Sequence, residues 1–424
     1  MTTATRQASI FDQARSTLEQ AIEQTADSLN FYGQQYKHWK VAYSGGKDST
    51  ALVTLLAHLI ESGRVTAPES IEIFMADTKQ ELPPLMIAAM KILSQLRDRG
   101  FKTTIVLPEM DHRYFVYILG RGVCPPSNVF RWCTPKLKQM PMAAAMERGA
   151  IECGEKFLML TGVRVGESAA RDQRIAVSCT KDGGECGQGW MQREPPKSAA
   201  DTLAPLLHWR VCHVWDWLTL HAPSMGFDTW DVAEFYGATN SDGEEPLAAR
   251  TGCMGCPLVQ EDAALDRVCS LPLWVYLSPL KKLRSLYWEV HKPEYRLRKW
   301  GERNKSGKLA QNQCRLGPLT MEAREWLEAQ ILGLQQEVND VALRIDRPVV
   351  ELINAEELDR IHELRRLNTY PDKWSGSPLS PEEFARLIEP FGAFVPQSFN
   401  GCEIHGTTKH PKIAADGRIE QLLF

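Results

Sequence analysis

A doubly wound α/β fold, with a mostly parallel sheet, is predicted for this chain by three observations. Short β-prone apolar runs at 39–43, 70–78 and 102–109 alternate with helical patterns at 47–63 and 83–99, and such alternation implies parallel strands covered by helices on both faces. The first strand runs through two glycines directly into a helix, which places a tight loop where doubly wound sheets receive ligands. The composition, 43% hydrophobic and 24% charged, is that of a globular chain with a buried core.

At 424 residues the chain exceeds one ordinary domain. Lysine plus arginine total 49 against 53 acidic residues, a net charge of −4, so the protein as a whole is not a basic nucleic-acid coat. No apolar run approaches the roughly 18 residues of a membrane span, and the polar start has no signal-peptide core. The expected location is therefore cytoplasmic, with no membrane partner. There the eleven cysteines should be mostly reduced, and their odd number excludes a complete disulfide framework.

Element by element, residues 10–36 carry apolar positions at Ile10, Phe11, Leu18, Ile22, Leu29 and Phe31, which suits a helical N-terminal cap over 1–36. A nucleotide domain is expected over 37–240. It holds the strands above, a further strand at 156–164, and a segment at 203–218 expected to complete the layer. Residues 241–345 form a cysteine-containing region with helical segments near 272–300 and 320–344. The extension 346–424 is rich in Pro and Gly after about residue 370, with one short helix expected at 380–389.

The strongest chemical signal is Ser44-Gly45-Gly46-Lys47-Asp48-Ser49 between strand and helix. Two glycines let the backbone turn tightly, helix-start amides can hold phosphate, and Ser44, Ser49 and Lys47 add hydroxyls and charge. The Walker A spacing is absent. These six residues resemble the PP-loop, S-G-G-x-D-S, of the ATP pyrophosphatase superfamily, whose fold is adenine nucleotide alpha hydrolase-like. The resemblance implies that all six bind ATP, with Mg²⁺ on the triphosphate, while a substrate oxygen attacks the α-phosphate and releases pyrophosphate. Lys47 and Asp48 would then be catalytic.

Three further segments are similar to the PAPS reductase-like branch of that superfamily. They are "ADTKQELP", with Asp77, Thr78 and Glu81; "RWCTPKLK", with Cys133; and "GVRVGESAAR", with Arg164, Glu167, Ser168 and Arg171. The likeness implies Asp77 and Arg171 at the nucleotide and Arg164 and Glu167 in catalysis. Arginine suits phosphate and sulfate because its planar fork donates two aligned hydrogen bonds. Without the ordered series, the same charges would describe a solvated helix face.

Cys253-Met254-Gly255-Cys256 is the second constellation. A C-x-x-C pair can ligate zinc or an iron–sulfur cluster or act as a redox dithiol, and by itself does not choose. The stretches "RTGCMGCPLVQEDAAL", "LSPLKKLR" and "CRLGPLTMEAREWLEAQIL" resemble the DNA phosphorothioation sulfur-transfer family typified by DndC. That resemblance implies a [4Fe–4S] cluster, a cysteine desulfurase as sulfur donor, and DNA and other DNA-sulfur modification proteins as partners. This sequence departs from the pattern by lacking a cysteine shortly before Cys253 and by placing Cys269 thirteen positions after Cys256. Cys133 joining Cys253 and Cys256, with Cys269 as a further candidate, is the ligand set implied.

Two other features bear on function. Basic residues from Lys281 to Lys308 interleave with Tyr287, Trp288, Tyr295 and Trp300, a pattern of either a solvated face or a nucleic-acid contact. Cys402 and His405 echo the C-terminal E-C-G-x-H of PAPS and APS reductases with its first residues changed. The sequence therefore carries three readings: sulfur transfer to DNA, a PAPS or APS reductase, or a nucleotide-binding subunit without catalysis.

Overall fold

The structure, a computed structural model, describes residues 17–166, 173, 190–195, 198–237, 252–298, 316–371, 412–413 and 419–421. It divides into two compact units. The first comprises Met1–Asp77, Glu81–Leu107 and Lys138–Gly252, and the second Thr78–Gln80, Pro108–Leu137 and Cys253–Phe424.

A six-stranded sheet organises the first unit. Its strands are β1 (His38–Tyr43), β2 (Ser70–Ala76), β3 (Lys102–Val106), β4 (Phe157–Leu160), β5 (Trp190–Gln192) and β6 (Ala200–Ala204), in the order β3-β2-β1-β4-β6-β5. All neighbours are parallel except the edge pair β5 and β6. Helices α1 (Leu18–Gly33), α2 (Lys47–Glu61), α3 (Pro83–Asp98) and α4 (Met140–Cys153) complete the expected doubly wound pattern. Burial on both faces explains why β1 is so nearly continuous in its apolar character. Even Lys40 is buried there, its ammonium 3.1 Å from Glu72 and 4.2 Å from the Phe74 and Phe157 ring centres.

Local chemistry sets the ends of these elements. Helix α1 starts with a capping box in which the Thr17 hydroxyl accepts from Gln20 N and the Gln20 side chain accepts from Thr17 N. Proline opens α3, and Gly154, with φ of +68°, ends α4 in the left-handed conformation. Residues 10–16 of the expected cap lie outside the described residues.

Strand boundaries depart from expectation where the chain meets proline or helical spacing. Strand β3 stops at Val106, two residues before Pro108, which has no N–H for the ladder. Strand β4 is only Phe157–Leu160 rather than 156–164. In the 203–218 segment the strand is confined to its start, because Pro205 ends β6 and the remainder forms α5 (Val211–Asp216) and a π-helical turn, Trp217–His221. Val214, Trp215, Trp217 and Leu218 are buried at helical spacing, so most of the segment expected to complete the layer is helical.

The last described helix of the first unit is α6 (Trp230–Tyr236). In the second, α7 (Ala263–Ser270) and α8 (Lys282–Glu289) flank a 3₁₀ segment, and strands β7 (Arg296–Arg298) and β8 (Leu316–Leu319) pair antiparallel. Helix α9 (Met321–Arg344) buries Ala323, Leu327, Ile331, Leu334, Val338 and Ala342, one apolar stripe stepping by three or four residues. Helix α10 (Ala355–Arg366) follows, capped by Asn354, whose side chain accepts from Glu357 N at 2.8 Å. The helix expected at 380–389 lies outside the described residues. No described helix is long and apolar enough to cross a membrane.

Arg324 of α9 is fully buried and donates to the carbonyls of Gly120 at 3.1 Å, Leu319 at 3.3 Å and Thr369 at 3.4 Å. Burial pushes its pKa down to about 10. The guanidinium fits because Gly122, with φ of +74°, leaves the space where a Cβ would stand 2.2 Å from Nη2. Gly122→Ala is therefore expected to destabilise the protein by about 2–3 kcal/mol through strain and overlap together. Gly154→Ala, at φ of +68° with nothing within 4 Å of the added carbon, should cost only about 1 kcal/mol. Urea unfolding followed by circular dichroism measures both, and equal losses would mean that Arg324 does not occupy that space.

Candidate functional site

The order of the first sheet creates a split. From β1 the chain winds outward through β2 and β3, whereas β4 and β6 lie on the other side of β1. Loops leaving the C-terminal ends of β1 and β4 therefore diverge and leave a crevice, the usual ligand position in such sheets. The Ser44–Ser49 loop follows β1, and Gly162 and Arg164 follow β4. Ser44, Lys47, Asp48, Ser49 and Arg164, picked out by the two motifs, are brought together there.

Gly45 adopts φ of +74°, and a Cβ on it would lie 2.9 Å from Ala89 Cβ. The first glycine is thus required both by conformation and by space. Gly46 is the N-cap of α2 and supplies no side chain, so the first-turn amides are not capped from within. Around them, Ser49 Oγ donates to Gly46 O at 3.0 Å and accepts from Ser44 N at 3.2 Å, while the two serine hydroxyls lie 3.1 Å apart. Loop and helix start are one hydrogen-bonded unit, with Ser44 exposed and Ser49 buried.

Charge is arranged around Asp48. Its Oδ1 accepts from Arg164 Nε at 2.5 Å and its Oδ2 lies 3.1 Å from Lys47 Nζ. Arg164 is 3% exposed, and its Nη1 donates to Trp209 O at 3.1 Å. Arg164 acts through Asp48, holding the carboxylate and with it the first turn of α2. Two cations face one carboxylate, and the net positive charge adds to the partial positive charge of the helix start, which favours an anionic ligand.

Other expected site residues fall as follows. Asp77 follows β2, half-buried, with its N–H donating to Val106 O at 3.0 Å. Glu81 pairs with Lys138 at 3.6 Å. Glu167, Ser168 and Arg171 lie outside the described residues, as do Cys402 and His405. Sequence reasoning missed two participants. Gly162 packs so tightly that a Cβ would stand 3.0 Å from the Asp48 carbonyl carbon and oxygen and from Ser49 N. Tyr236 lies under Lys47, with the ammonium 5.2 Å from its ring centre. Gly162 opens the GVRVGESAAR stretch, which was read for Arg164, Glu167, Ser168 and Arg171 alone; nothing in the sequence points to Tyr236.

The four candidate ligands Cys133, Cys253, Cys256 and Cys269 lie in the second unit. Gly255 of the C-x-x-C turn has φ of +59°, and a Cβ there would be 2.7 Å from Leu283 Cβ. Asp262 fixes the turn by accepting from Gly255 N at 3.0 Å and Leu265 N at 3.1 Å, and Met254 N donates to Gln80 O at 2.8 Å. Burial pushes the Cys256 thiol up, partly offset by the backbone N–H groups of Leu258 and Val259, and Cys133 pushes it further up. Buried Tyr114 is pushed up by burial first, then by Tyr287, Cys253, Cys133 and Cys256. Three thiols therefore act on one tyrosine, although Cys133 is 120 positions from Cys253 in sequence. Cys269, on α7, is raised by burial and has Ser278, Lys281 and Asp266 about it. Among the described residues, no group of three or more His, Cys, Asp or Glu is arranged around a single metal-ion position.

The described part of the basic run is engaged within its own unit. Lys281 pairs with Asp266 at 2.5 Å, Lys282 with Glu337 at 3.0 Å and Lys292 with Glu289 at 2.6 Å, while Arg284 lies 4.2 Å from the Trp288 ring centre.

Residues 38–225 match the phosphoadenosine phosphosulfate reductase domain. The match covers every strand of the first sheet and takes in somewhat less than half of the chain. Among solved structures, the phosphoadenylyl-sulfate reductase of Candida auris in a phosphate complex is 12% identical, covers 49% of this chain and 89% of its own, and has a TM-score of 0.32. The U34-tRNA thiolase NcsA of Methanococcus maripaludis, with its [4Fe–4S] cluster, is 15% identical over 50% of this chain and 65% of its own, just under two thirds, with a TM-score of 0.32. The FMN adenylyltransferase of Candida glabrata, with FMN and an ATP analogue, is 17% identical over 49% of this chain and 60% of its own, at 0.29. Likeness at these TM-scores carries no argument for this chain. No curated protein sequence matches it.

Gly162→Ala is expected to leave folding intact but to displace the start of α2, because the added carbon meets backbone that cannot rotate away. Nucleotide affinity, measured by isothermal titration calorimetry, should fall roughly tenfold or more. Unchanged affinity would show that the close approach of the two loops is dispensable.

Proposed function

We propose that the chain is an ATP-dependent sulfur-transfer enzyme that cleaves ATP to AMP and pyrophosphate in order to activate a backbone phosphate of DNA. The observation that carries this reading is the geometry of the S-G-G-K-D-S loop. A left-handed glycine, an uncapped helix start and a clamped Asp48 sit at the split of the sheet. The loop amides and Ser49 would hold the phosphates, and Lys47 would offset negative charge developing as the α–β bond breaks. A non-bridging oxygen of the acceptor attacks the α-phosphorus and pyrophosphate leaves. A sulfur nucleophile then attacks the adenylated phosphate and expels AMP. Mg²⁺ is expected on the triphosphate. DNA as acceptor, a cysteine desulfurase as donor and other DNA-sulfur modification proteins as partners come from the resemblance of the cysteine-containing segments to the phosphorothioation family.

Cys133, Cys253 and Cys256 would hold the iron–sulfur cluster. Their donor chemistry fits: all three thiols lie near enough to buried Tyr114 to raise its pKa, and the backbone N–H groups of Leu258 and Val259 favour charge on the Cys256 sulfur, as suits a thiolate. Bound there, a cluster would supply an iron able to carry sulfur. Cys269 has a different neighbourhood and is the weakest of the four candidates.

A second reading, a PAPS or APS reductase, is favoured by the domain match over 38–225. It requires thiolate attack on substrate sulfur and release of sulfite, for which Cys402 is the C-terminal candidate.

Products of labelled ATP decide the first point. AMP and pyrophosphate are expected from wild type and neither from Asp48→Ala or Ser49→Ala; ADP alone would overturn the assignment. Sulfite released from PAPS with a thiol reductant, and lost in Cys402→Ser, would establish the reductase instead. For the cluster, anaerobically purified protein is expected to be brown, and Cys253→Ser to bleach it. Stoichiometric zinc without iron or sulfide would count decisively against it.

A further inference from the structure

Cys124 lies apart from the C-x-x-C motif in sequence and has a different set of partners. Three separate segments of the second unit meet at its sulfur: the loop after the turn Val116–Gly120, the end of α8, and β7. Cys124 Sγ lies 3.3 Å from His291 Nδ1, and Arg296 Nη1 donates to the same sulfur at 2.9 Å. Each partner is itself anchored. Arg296 Nε donates to Gly317 O at 2.7 Å, Trp132 Nε1 donates to Cys124 O at 2.9 Å, and the carbonyls of Pro126 and Pro125 accept from the His291 ring. A structural cysteine in a core has no need of a base and a guanidinium on one sulfur. A thiol that must become an anion and be held as one does.

We propose that Cys124, His291 and Arg296 form a sulfur-accepting site, in which the Cys124 thiol takes the outer sulfur of a persulfide donor. This rests on the sulfur-transfer reading above. The thiol proton passes to the His291 ring nitrogen, and the Cys124 sulfur attacks the outer sulfur of the donor R–S–SH. The donor S–S bond breaks, and R–S⁻ leaves and takes the proton back from His291 as R–SH. Cys124–S–SH results. One sulfur atom, with its oxidising equivalent, changes hands, and no external oxidant or reductant is needed. Arg296 holds the charge on sulfur before and after transfer.

At rest the thiol and the imidazole are both uncharged, beside the Arg296 guanidinium. Burial pushes the Cys124 thiol up to about 11, partly offset by Arg296, and burial pushes the His291 imidazole below its ordinary value. The thiol is thus protected from adventitious oxidation until a donor arrives, and the adjacent neutral imidazole is the group that can take its proton.

The test uses the intact purified chain under anaerobic conditions with inorganic polysulfide as the probe, followed by alkylation and peptide mass spectrometry. The Cys124 peptide is expected to carry one additional sulfur beneath the alkyl cap. Arg296→Gln and His291→Gln should each lower that occupancy roughly tenfold, with Arg296→Lys recovering part of it. AMP formation by wild type is measured alongside. If wild type makes AMP and pyrophosphate while sulfur accumulates on Cys133, Cys253 or Cys256 and never on Cys124, this inference is overturned and the function stands. If Cys124 takes sulfur but no AMP forms, the site is supported and the ATP reading is the one that fails.

Discussion

The start of helix α2 is pinned by backbone contact. Gly162, in the chain segment leaving β4, approaches the Asp48 and Ser49 peptide so closely that even a Cβ would stand only 3.0 Å from it. Arg164, two residues on, then reaches Asp48 with one guanidinium nitrogen and the Trp209 carbonyl with another. Trp209 in turn donates its indole N–H to Thr25 of α1 at 2.9 Å. A chain of contacts thus runs from α1, through the strand β4 side of the sheet, to the helix whose amides face the crevice. Steric closeness fixes the distance between the two loops, and the ion pair fixes their orientation. Neither would suffice alone, since an ion pair with freedom to swing would not preorganise a phosphate site.

How far this was legible in the sequence follows from sequence distance. The phosphate loop is six contiguous residues whose glycines, serines and lysine have local reasons to be there, and the structure places them as that local chemistry requires. Arg164 was visible as part of a motif, but its partner was not, because Asp48 is 116 positions away. The segment at 203–218 was not divided into strand and helix, because tryptophan and valine satisfy both a strand and a buried helix face; only Pro205 and the spacing of Val214, Trp217 and Leu218 separate the two. Nothing local in the sequence marks Arg324 of α9, because its burial depends on a glycine some two hundred positions earlier.

The thiols of the second unit show how environment divides one residue type among tasks. Cys256 is raised by burial but offset by amide N–H groups, beside Cys133, in a turn fixed by Asp262. Cys124 is raised further, and a guanidinium and an imidazole, rather than backbone amides, face its sulfur. Cys269 has a serine and a lysine about it. Backbone amides suit a thiolate that stays bound; a base and a movable cation suit one that reacts and is restored. Spacing in the sequence marked the first arrangement and could not mark the second, whose members are spread over 172 positions.

The central claim, that this loop activates a DNA phosphate by adenylation, is tested most directly by exchange of labelled pyrophosphate into ATP without any sulfur donor. Duplex DNA should start the exchange, since adenylation is reversible and the next step is blocked. Exchange that ignores DNA but responds to tRNA or sulfate would contradict the account, and so would turnover of ATP with no exchange under any acceptor.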